Sequence, residues 1–302
     1  MAGTDIKIKY LLGIDGGGTK TEFLLCHTNG DKIKRIVLGP SNPVNIGIEK
    51  TKNLLATGIE DVCKNIDKSE ISLFAGIAGG ISADNKKHIN EFLSSFGFGR
   101  YDNAGDTDSA LEVTLKGEDG VAIIIGTGVI AFCRKNNTRK RISGWGYLID
   151  KGGSGFHFGS DAIQSALKFI DGRGGSEKIL NLIEEKLEKP LPDAIGEIYE
   201  KGPSFVASFA PIVFSAFEED DRYAEEILNR NAKEIAEIIV AGKKFCPVGK
   251  VILCGGLCKQ SKILREFISN HLDEKINFEF CEEPVINGAV SLAKKLINQK
   301  EV

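Results

Sequence analysis

Two kinds of apolar pattern alternate along this chain. Short, nearly continuous apolar runs predict buried strands, whereas longer stretches with an apolar residue every three or four positions predict helices. Glycines and charged turns separate these pieces. The first part of the chain has predicted strands at 10–14, 21–26, 32–38 and 71–77, and predicted helices at 49–63, 85–96 and 106–115.

The same pattern begins again near residue 121. The second set has predicted strands at 121–125, 129–134, 139–143, 251–254 and 277–280, and predicted helices at 156–170, 176–187, 204–218, 222–243, 261–271 and 285–297. The order of three strands, a helix, a strand and a helix thus occurs twice, and a helical insertion interrupts the second copy. Strands alternating with helices predict the α/β class. We expect two similar domains, 1–115 and 116–284, with the closing segment 285–302 packing back onto the first.

The composition limits the kind of partner. The 302 residues are 42% apolar with a formal net charge of −3, which is enough material for two packed domains. Lys and Arg total 39 against 42 Asp and Glu without strong clustering, so a nucleic-acid partner is not expected. No apolar run suits a signal peptide or a membrane span, so we expect a cytoplasmic protein without a membrane partner. The seven cysteines show no pairing or zinc pattern, and we expect reduced thiols.

A glycine-rich turn follows the first predicted strand. Gly16, Gly17, Gly18, Thr19 and Lys20 lead into a second strand rather than a helix, which excludes a Walker loop and a dinucleotide fingerprint. The exposed amides of such a hairpin can surround a phosphate, so we expect ATP to bind here. Asp15, at the end of the strand, is placed to hold hydrated Mg²⁺, which prefers few carboxylate ligands. The alternative is an ordinary glycine hairpin.

Two further glycine turns extend this pattern. Gly126, Thr127 and Gly128 follow the first strand of the second set and predict a second phosphate hairpin. Gly255 and Gly256 follow the strand at 251–254, where a double glycine lets the backbone approach the flat adenine ring. An ordinary strand-to-helix turn is the alternative at this third motif.

These three motifs, in this order, resemble the ATPase core shared by actin, Hsp70 and hexokinase. More narrowly, the chain resembles the N-acetylglucosamine kinase-like branch of the BadF/BadG/BcrA/BcrD ATPase family over nearly its whole length. The matching segments are 13–21, 41–42, 79–80, 105–111, 144–146 and 287–289. The resemblance implies an actin-like (ribonuclease H-like) α/β fold of two domains with a cleft between them. It also implies ATP and Mg²⁺ as cofactors, a small amino sugar as substrate and a homodimer.

The resemblance also implies roles for particular residues. Asp106 matches the family's catalytic base. The residues that match or flank the family's sugar contacts are Asn42, Ala78, Gly79, Asp106, Thr127, Gly146, Asp150 and Lys151. Three departures concern the sugar: Asp150 and Lys151 stand where relatives carry a Gly-Asp-Glu segment, Ala78 replaces a hydroxyl, and Val129 and Ile130 replace polar residues.

Several of these residues have structural alternatives. Asp106 could be a helix N-cap, and Asp108 is the second candidate for the base. Asn42 could serve only as a turn residue before a proline, and Trp145 could anchor a loop in the core. His157 has no evident partner in the sequence, which favours a structural histidine.

Lys151 is either a surface lysine or a partner for the lactyl carboxylate of N-acetylmuramic acid. The expected activity is ATP-dependent phosphorylation of free N-acetylglucosamine, N-acetylmuramic acid or both at the 6-hydroxyl. The alternatives are a kinase of glucosamine or another hexose, an ATP-driven activator of a radical dehydratase, and a non-enzymatic ATP-binding regulator.

Overall fold

The computed structural model describes residues 7–136 and 138–298. Residues 1–6, 137 and 299–302 lie outside it, and with them the outer ends of the predicted segments 1–115 and 285–302. The chain forms two compact units. The first, here called unit 1, runs to Gly117 and resumes at Glu283, and the second, unit 2, is Glu118–Glu282.

The described residues contain ten strands and eleven α-helices. The strands are β1 (Tyr10–Gly16), β2 (Thr21–His27), β3 (Lys32–Leu38), β4 (Ile71–Ile77), β5 (Arg100–Ala104), β6 (Gly120–Ile125), β7 (Val129–Lys135), β8 (Thr138–Ser143), β9 (Lys250–Cys254) and β10 (Glu279–Cys281). The helices are α1 (Pro43–Ile46), α2 (Ile48–Val62), α3 (Asn85–Ser94), α4 (Asp106–Leu115), α5 (Gly155–Ile170), α6 (Glu177–Leu187), α7 (Leu191–Ala207), α8 (Ala210–Glu218), α9 (Arg222–Phe245), α10 (Ser261–Ser269) and α11 (Val285–Ile297). No helix within these ranges has the length and apolar character that crossing a membrane requires.

Each unit contains one five-stranded sheet, and the two sheets have the same topology. In unit 1 the order is β3-β2-β1-β4-β5, and in unit 2 it is β8-β7-β6-β9-β10. The first three strands of each sheet are antiparallel neighbours, and the remaining two pair in parallel. Hairpins suffice for antiparallel neighbours, whereas parallel neighbours need a crossover, which the helices supply. The predicted α/β fold with two sheet domains is confirmed.

The sheet of unit 1 is covered on both faces. Leu12 belongs to the buried cluster that contains Leu55 and Ile59 of α2, whereas its neighbour Leu11 belongs to the cluster that contains Ile286 of α11. Adjacent residues of a strand point to opposite faces, so one strand supplies both clusters. Ser72 of β4 donates a hydrogen bond of 2.6 Å to the Ala293 carbonyl of α11, which fixes that helix on the sheet. The last described helix therefore belongs to unit 1.

The helical insertion of unit 2 lies between β8 and β9. It consists of α5 to α9, and α9 carries buried residues at helical spacing, as its sequence pattern predicts. Phe158 of α5 and Phe214 of α8 pack with ring centroids 5.5 Å apart in the centre of this insertion. The apolar core of unit 2 is continuous from the sheet into these helices.

Three elements were absent from the sequence predictions. Helix α1 is a single turn of four residues, which is too short to show an apolar period. The edge strand β5 has a polar sequence, Arg-Tyr-Asp-Asn-Ala, which gives no apolar run. Helix α7 contains a kink at Gly202, with φ of 71°, followed by Pro203, and these helix breakers hide it. The prediction of a single helix at 204–218 is also wrong. Its first residues are the end of α7, and Ala210–Glu218 form the separate helix α8. The strand predicted at 277–280 is found at Glu279–Cys281 instead.

Helix α11 approaches α4 at a point where no side chain fits. A Cβ on Gly288 would overlap the backbone carbonyl of Ser109, which cannot move without disturbing α4. We predict that Gly288→Ala lowers the free energy of unfolding by about 1–3 kcal/mol, because it overpacks this contact. Urea denaturation measures this. Lys294→Ala, an exposed change on the same helix, is the control and should stay within about 0.5 kcal/mol of the parent. Equal stability of the two variants would contradict the tight contact.

Candidate active site

The first glycine turn of unit 1 connects β1 to β2. The Gly17 amide donates a 2.8 Å hydrogen bond to the Lys20 carbonyl, which closes the turn, while residues 18–20 are exposed. Gly16 lies against Ser41. A Cβ at Gly16 would overlap the Ser41 hydroxyl. Ser41 Oγ is buried and has no hydrogen-bond partner within the described residues. The turn is thus packed on its inner side and exposed on its outer side.

Asp15 precedes this turn on β1. The pKa of its carboxyl is raised from 3.8 to about 7, mainly by burial and also by the negative charges of Asp106 and Glu22, against the opposing effect of Lys20. Within the described residues no hydrogen bond to this carboxylate is found. A carboxylate held in such surroundings favours any cation that replaces its lost hydration.

Asp106 is the first residue of α4. The N-cap position belongs to Gly105, so the alternative that Asp106 caps the helix is wrong by one residue. Its Oδ1 accepts a 3.0 Å hydrogen bond from the Thr107 amide. Burial raises the pKa of Asp106, hydrogen bonds from backbone amides oppose this, and the nearby Asp108 adds to the increase.

Gly76 allows these two carboxylates to share a site. It pairs with Asp15 across β4 and β1, and a Cβ on it would overlap the hydroxyl of Ser109 in α4. The glycine therefore lets the start of α4, and with it Asp106, lie close to the end of β1. Sequence reasoning missed Gly76, although a glycine within an apolar strand is a recognised sign of a close approach.

The predicted sugar contacts of unit 1 gather beside the same strand end. The Ala78 amide donates a 2.7 Å hydrogen bond to the Gly16 carbonyl. Gly79 has a φ of 69°, and a Cβ there would overlap Asn42 Oδ1. That oxygen accepts a 2.9 Å hydrogen bond from the Val44 amide and caps α1. Asn42 is therefore a turn residue, as in the alternative interpretation, and its side-chain NH₂ group has no acceptor among residues 7–136 and 138–298.

In unit 2, the second glycine turn lies against the start of α5. The Gly155 amide donates to the Gly126 carbonyl at 2.8 Å, and the Phe156 amide donates to the Thr127 carbonyl at 3.1 Å. A Cβ at Gly126 or Gly128 would meet no atom within 4 Å. Packing within unit 2 does not require glycine at these two positions, which is consistent with space kept for a ligand.

The third glycine motif follows β9 of unit 2. Gly255 has a φ of 114° and passes so close to the Ile125 carbonyl that a Cβ would overlap it, whereas the space at Gly256 is open. Cys254 and Cys258 are both buried, and burial raises the pKa of Cys258 to about 12. These thiols pack in the core of unit 2.

In the segment at 144–151 of unit 2, the structure places Trp145 and Asp150 differently from two sequence interpretations, a core anchor and a direct sugar contact. Trp145 is 67% exposed, so it is not a core anchor, and the Arg141 guanidinium lies 4.1 Å from its ring centroid. Asp150 binds its own loop, because its carboxylate accepts from the amides of Trp145 at 2.8 Å and Gly146 at 3.2 Å. Lys151 is exposed and has no ion pair within the described residues.

His157 also departs from its interpretation as a residue without a partner. Its Nε2 lies 2.7 Å from the Asp150 carbonyl, and its Nδ1 lies 2.6 Å from Ser154 Oγ. The sequence offered no signal for these contacts, because a glycine-rich bend brings the three residues together.

The residues of unit 1 can hold Mg²⁺ through few protein ligands only. The parts of the chain that the structure describes contain no group of three His, Cys, Asp or Glu side chains arranged for a metal. One half-buried carboxylate, Asp15, beside an exposed glycine turn suits an ion that retains most of its waters.

The duplicated sheets, with a glycine turn after the first strand of each, define the fold of the sugar kinases and actin-like ATPases. Residues 12–290 match the BadF/BadG/BcrA/BcrD ATPase family, and the chain belongs to this family.

Two relatives with similar sequences are amino-sugar kinases. An N-acetylmuramic acid/N-acetylglucosamine kinase of Clostridium acetobutylicum is 30% identical over 237 residues, which cover 76% of this chain and 77% of the relative. An N-acetyl-D-glucosamine kinase of Dictyostelium discoideum is 26% identical, over 88% of this chain and 91% of the relative. Among solved structures, a ROK family glucokinase from Streptomyces griseus in complex with glucose and AMPPNP superposes with a TM-score of 0.63 at 14% identity. The superposition covers 96% of this chain and 100% of that one, and it shows a shared fold.

The raised pKa of Asp15 predicts a pH-dependent stability. The folded state holds a proton on Asp15 up to about pH 7, whereas the unfolded chain releases it near 3.8, so this group lowers stability as pH rises between these values. Asp15→Asn removes this loss. Urea denaturation of metal-free protein across that interval should therefore show a flatter pH profile for the variant.

The exposed change Asp84→Asn is the control and should leave the slope unchanged. A wild-type profile with the same slope as Asp15→Asn would show that Asp15 is an ordinary exposed carboxylate.

Proposed function

We propose that this protein transfers the γ-phosphoryl group of ATP to the 6-hydroxyl of a free N-acetylated amino sugar, N-acetylglucosamine, N-acetylmuramic acid or both. The coarser prediction of an ATP-dependent sugar kinase is confirmed by the family, the two amino-sugar kinase relatives and the fold. The observation that carries the finer proposal is the position of the half-buried Asp106 next to Asp15 in unit 1.

Phosphoryl transfer to an alcohol requires a proton acceptor and compensation of negative charge. Asp106 would accept the proton of the sugar hydroxyl, since burial raises its pKa towards that of an effective general base while leaving it ionisable. The Thr107 amide, which donates to Asp106 Oδ1, would orient the carboxylate for the substrate.

The nucleotide roles follow from the open glycine turns. In unit 1 the exposed turn at Gly16, Gly17, Gly18, Thr19 and Lys20 would bind phosphate through its amides, hydroxyl and ammonium groups. Asp15 would hold Mg²⁺, which neutralises phosphate charge when bound. In unit 2 the open space at Gly126, Thr127 and Gly128 suits phosphate, and that at Gly255 and Gly256 suits adenine.

The sugar roles rest on polar groups that the protein leaves available. In unit 1 the Asn42 amide and the backbone at Ala78 and Gly79 lie beside the strand end that carries Asp15. In unit 2 we assign Thr127, Gly146, Asp150 and Lys151 to the sugar, with Asp150 acting through the shape of the loop because its carboxylate binds backbone amides. The homodimer implied by the family resemblance remains a prediction.

Two alternative activities, glucosamine phosphorylation and ATP-driven activation of a dehydratase, can be distinguished from the proposed one. A glucosamine kinase of Vibrio cholerae is 22% identical over 81% of this chain, so free glucosamine is the second candidate substrate. An ATP-driven dehydratase activator would need cysteines placed for an iron–sulfur cluster, whereas Cys254 and Cys258 are buried within unit 2. Coupled ADP-release assays with glucose, glucosamine and both N-acetylated sugars separate these alternatives. ADP release that is independent of every sugar would contradict the kinase proposal.

Removal of the proposed base gives a sharp prediction. Asp106→Asn keeps the shape of the side chain and should lower kcat for sugar phosphorylation by about 10²–10⁴-fold, because an amide cannot take the proton. ATP affinity, measured by calorimetry, should change little. Asp108→Asn is the matched control in the same helical turn and should retain activity within about tenfold. Loss of activity in Asp108→Asn alone would transfer the role of base to Asp108.

Lys151 gives a prediction about sugar selectivity. If its ammonium pairs with the lactyl carboxylate, Lys151→Ala should lower kcat/KM for N-acetylmuramic acid by about 5–10-fold and leave N-acetylglucosamine unchanged, since a partly exposed ion pair contributes about 1 kcal/mol. Lys244→Ala, at another exposed position of unit 2, should alter neither value. An equal decrease for both sugars would contradict the pairing.

A further inference from the structure

The imidazole of His157 joins two segments of unit 2. Nε2 lies 2.7 Å from the Asp150 carbonyl, which can only accept, so Nε2 carries a hydrogen. In the neutral ring Nδ1 then accepts from the Ser154 hydroxyl at 2.6 Å. Ser154 is fully buried and caps α5, so the ring is fixed at the start of a rigid helix.

Asp150 connects the fixed imidazole to the turn at residues 144–146, here called the Trp145 turn. Its carboxylate accepts from the amides of Trp145 and Gly146 and from the Ser143 hydroxyl at 3.2 Å. The Asp150 amide donates in turn to the Gly146 carbonyl at 2.9 Å. The main chain and side chain of one residue therefore connect His157 to the turn at residues 144–146.

The same helix start also holds the second glycine turn. The first amides of α5, from Gly155 and Phe156, donate to the carbonyls of Gly126 and Thr127. These bonds use only main-chain groups and do not depend on a side chain. The Trp145 turn, in contrast, is hydrogen-bonded to α5 through the imidazole of His157, while the ring of the neighbouring Tyr147 packs on Phe156 of α5 with centroids 4.6 Å apart.

We propose that His157 is a positioning residue that fixes the Trp145 turn relative to the Gly126 turn through Ser154 and Asp150. The inference rests on the proposed function, in which the Gly126 turn binds phosphate and the Trp145 turn contacts the sugar. His157 touches neither ligand in this scheme. It sets the position of the sugar-contacting turn, and a small displacement of a positioning group lowers the rate strongly.

A role of His157 in supporting only the start of α5 would predict a different result from a role in positioning the Trp145 turn. Ser154 Oγ already accepts from the His157 amide at 3.4 Å, and this capping bond survives any change of the His157 side chain. If His157 only supported the helix, its replacement would affect stability without a selective effect on the Trp145 turn.

Trp145 permits a direct measurement, since it is the one tryptophan in the sequence. Time-resolved fluorescence anisotropy of the protein without ligands reports the motion of this turn whether or not the protein is a kinase. His157→Phe should give Trp145 a larger nanosecond amplitude of motion, because the ring volume remains but both hydrogen bonds are lost. His157→Gln, which can still donate to the Asp150 carbonyl, should restore most of the wild-type anisotropy.

The control is His271→Phe, which removes a 2.8 Å contact between His271 and Asn229 elsewhere in unit 2. It should leave the Trp145 anisotropy unchanged. Unchanged anisotropy in a folded His157→Phe variant overturns the inference. If that variant does not fold, His157→Gln and His157→Asn replace it, because only the first should retain the restricted turn, and equal behaviour of the two would be the contradicting result.

Steady-state kinetics then separate the inference from the proposed function. His157→Phe should raise the sugar KM about tenfold while the KM for ATP stays within about twofold, and His157→Gln should recover part of the loss. Equal changes in both KM values would overturn the positioning role. A wild-type protein that phosphorylates no sugar would instead refute the proposed function, and the anisotropy result would still decide how His157 acts on the turn.

Discussion

The structure of unit 1 depends on holding two carboxylates close together at the end of a buried strand. Asp15 lies on β1, Asp106 opens α4, and burial raises the pKa of both. This arrangement is unfavourable in an empty site, because each ionised group lacks hydration and repels the other. In the proposed reaction, a cation would compensate the charge of Asp15 and a substrate hydroxyl would give its proton to Asp106. The arrangement is therefore informative about function, since carboxylates with raised pKa values in one site are typical of catalytic centres.

The two units share one sheet topology, but the glycine turn after the central strand has different surroundings in each. Each sheet has an antiparallel hairpin beside its central strand, and a glycine turn follows that strand at 16–18 in unit 1 and at 126–128 in unit 2. In unit 1 the turn is packed against Ser41 and lies next to Asp15. In unit 2 the turn is hydrogen-bonded to the start of α5 and has open space around its glycines. A repeated strand order thus supplies one turn next to an acidic site and another supported by a helix.

Much of this was predictable because periodicity and glycine position are local properties of the sequence. The bounds of β3, β4 and α11 were predicted as they are found, and the repeated strand order followed from them. The polar edge strand β5 and the kinked helix α7 were missed because neither has a clean apolar period. At the site, motifs identified Asp15 and Asp106, whereas Gly76, the internal role of the Asp150 carboxylate and the contacts of His157 depend on tertiary packing that no spacing encodes.

The electrostatic coupling of Asp15 and Asp106 is the claim on which the account of the site depends. A direct test is a ¹³C NMR titration of the Asp15 carboxyl in metal-free protein, assigned by its absence from Asp15→Asn and repeated in Asp106→Asn. The account predicts that Asp15 titrates near pH 7 in the wild type and at a lower pH once the charge of Asp106 is removed. An Asp15 that titrates near 3.8, or at the same pH in both proteins, would contradict it.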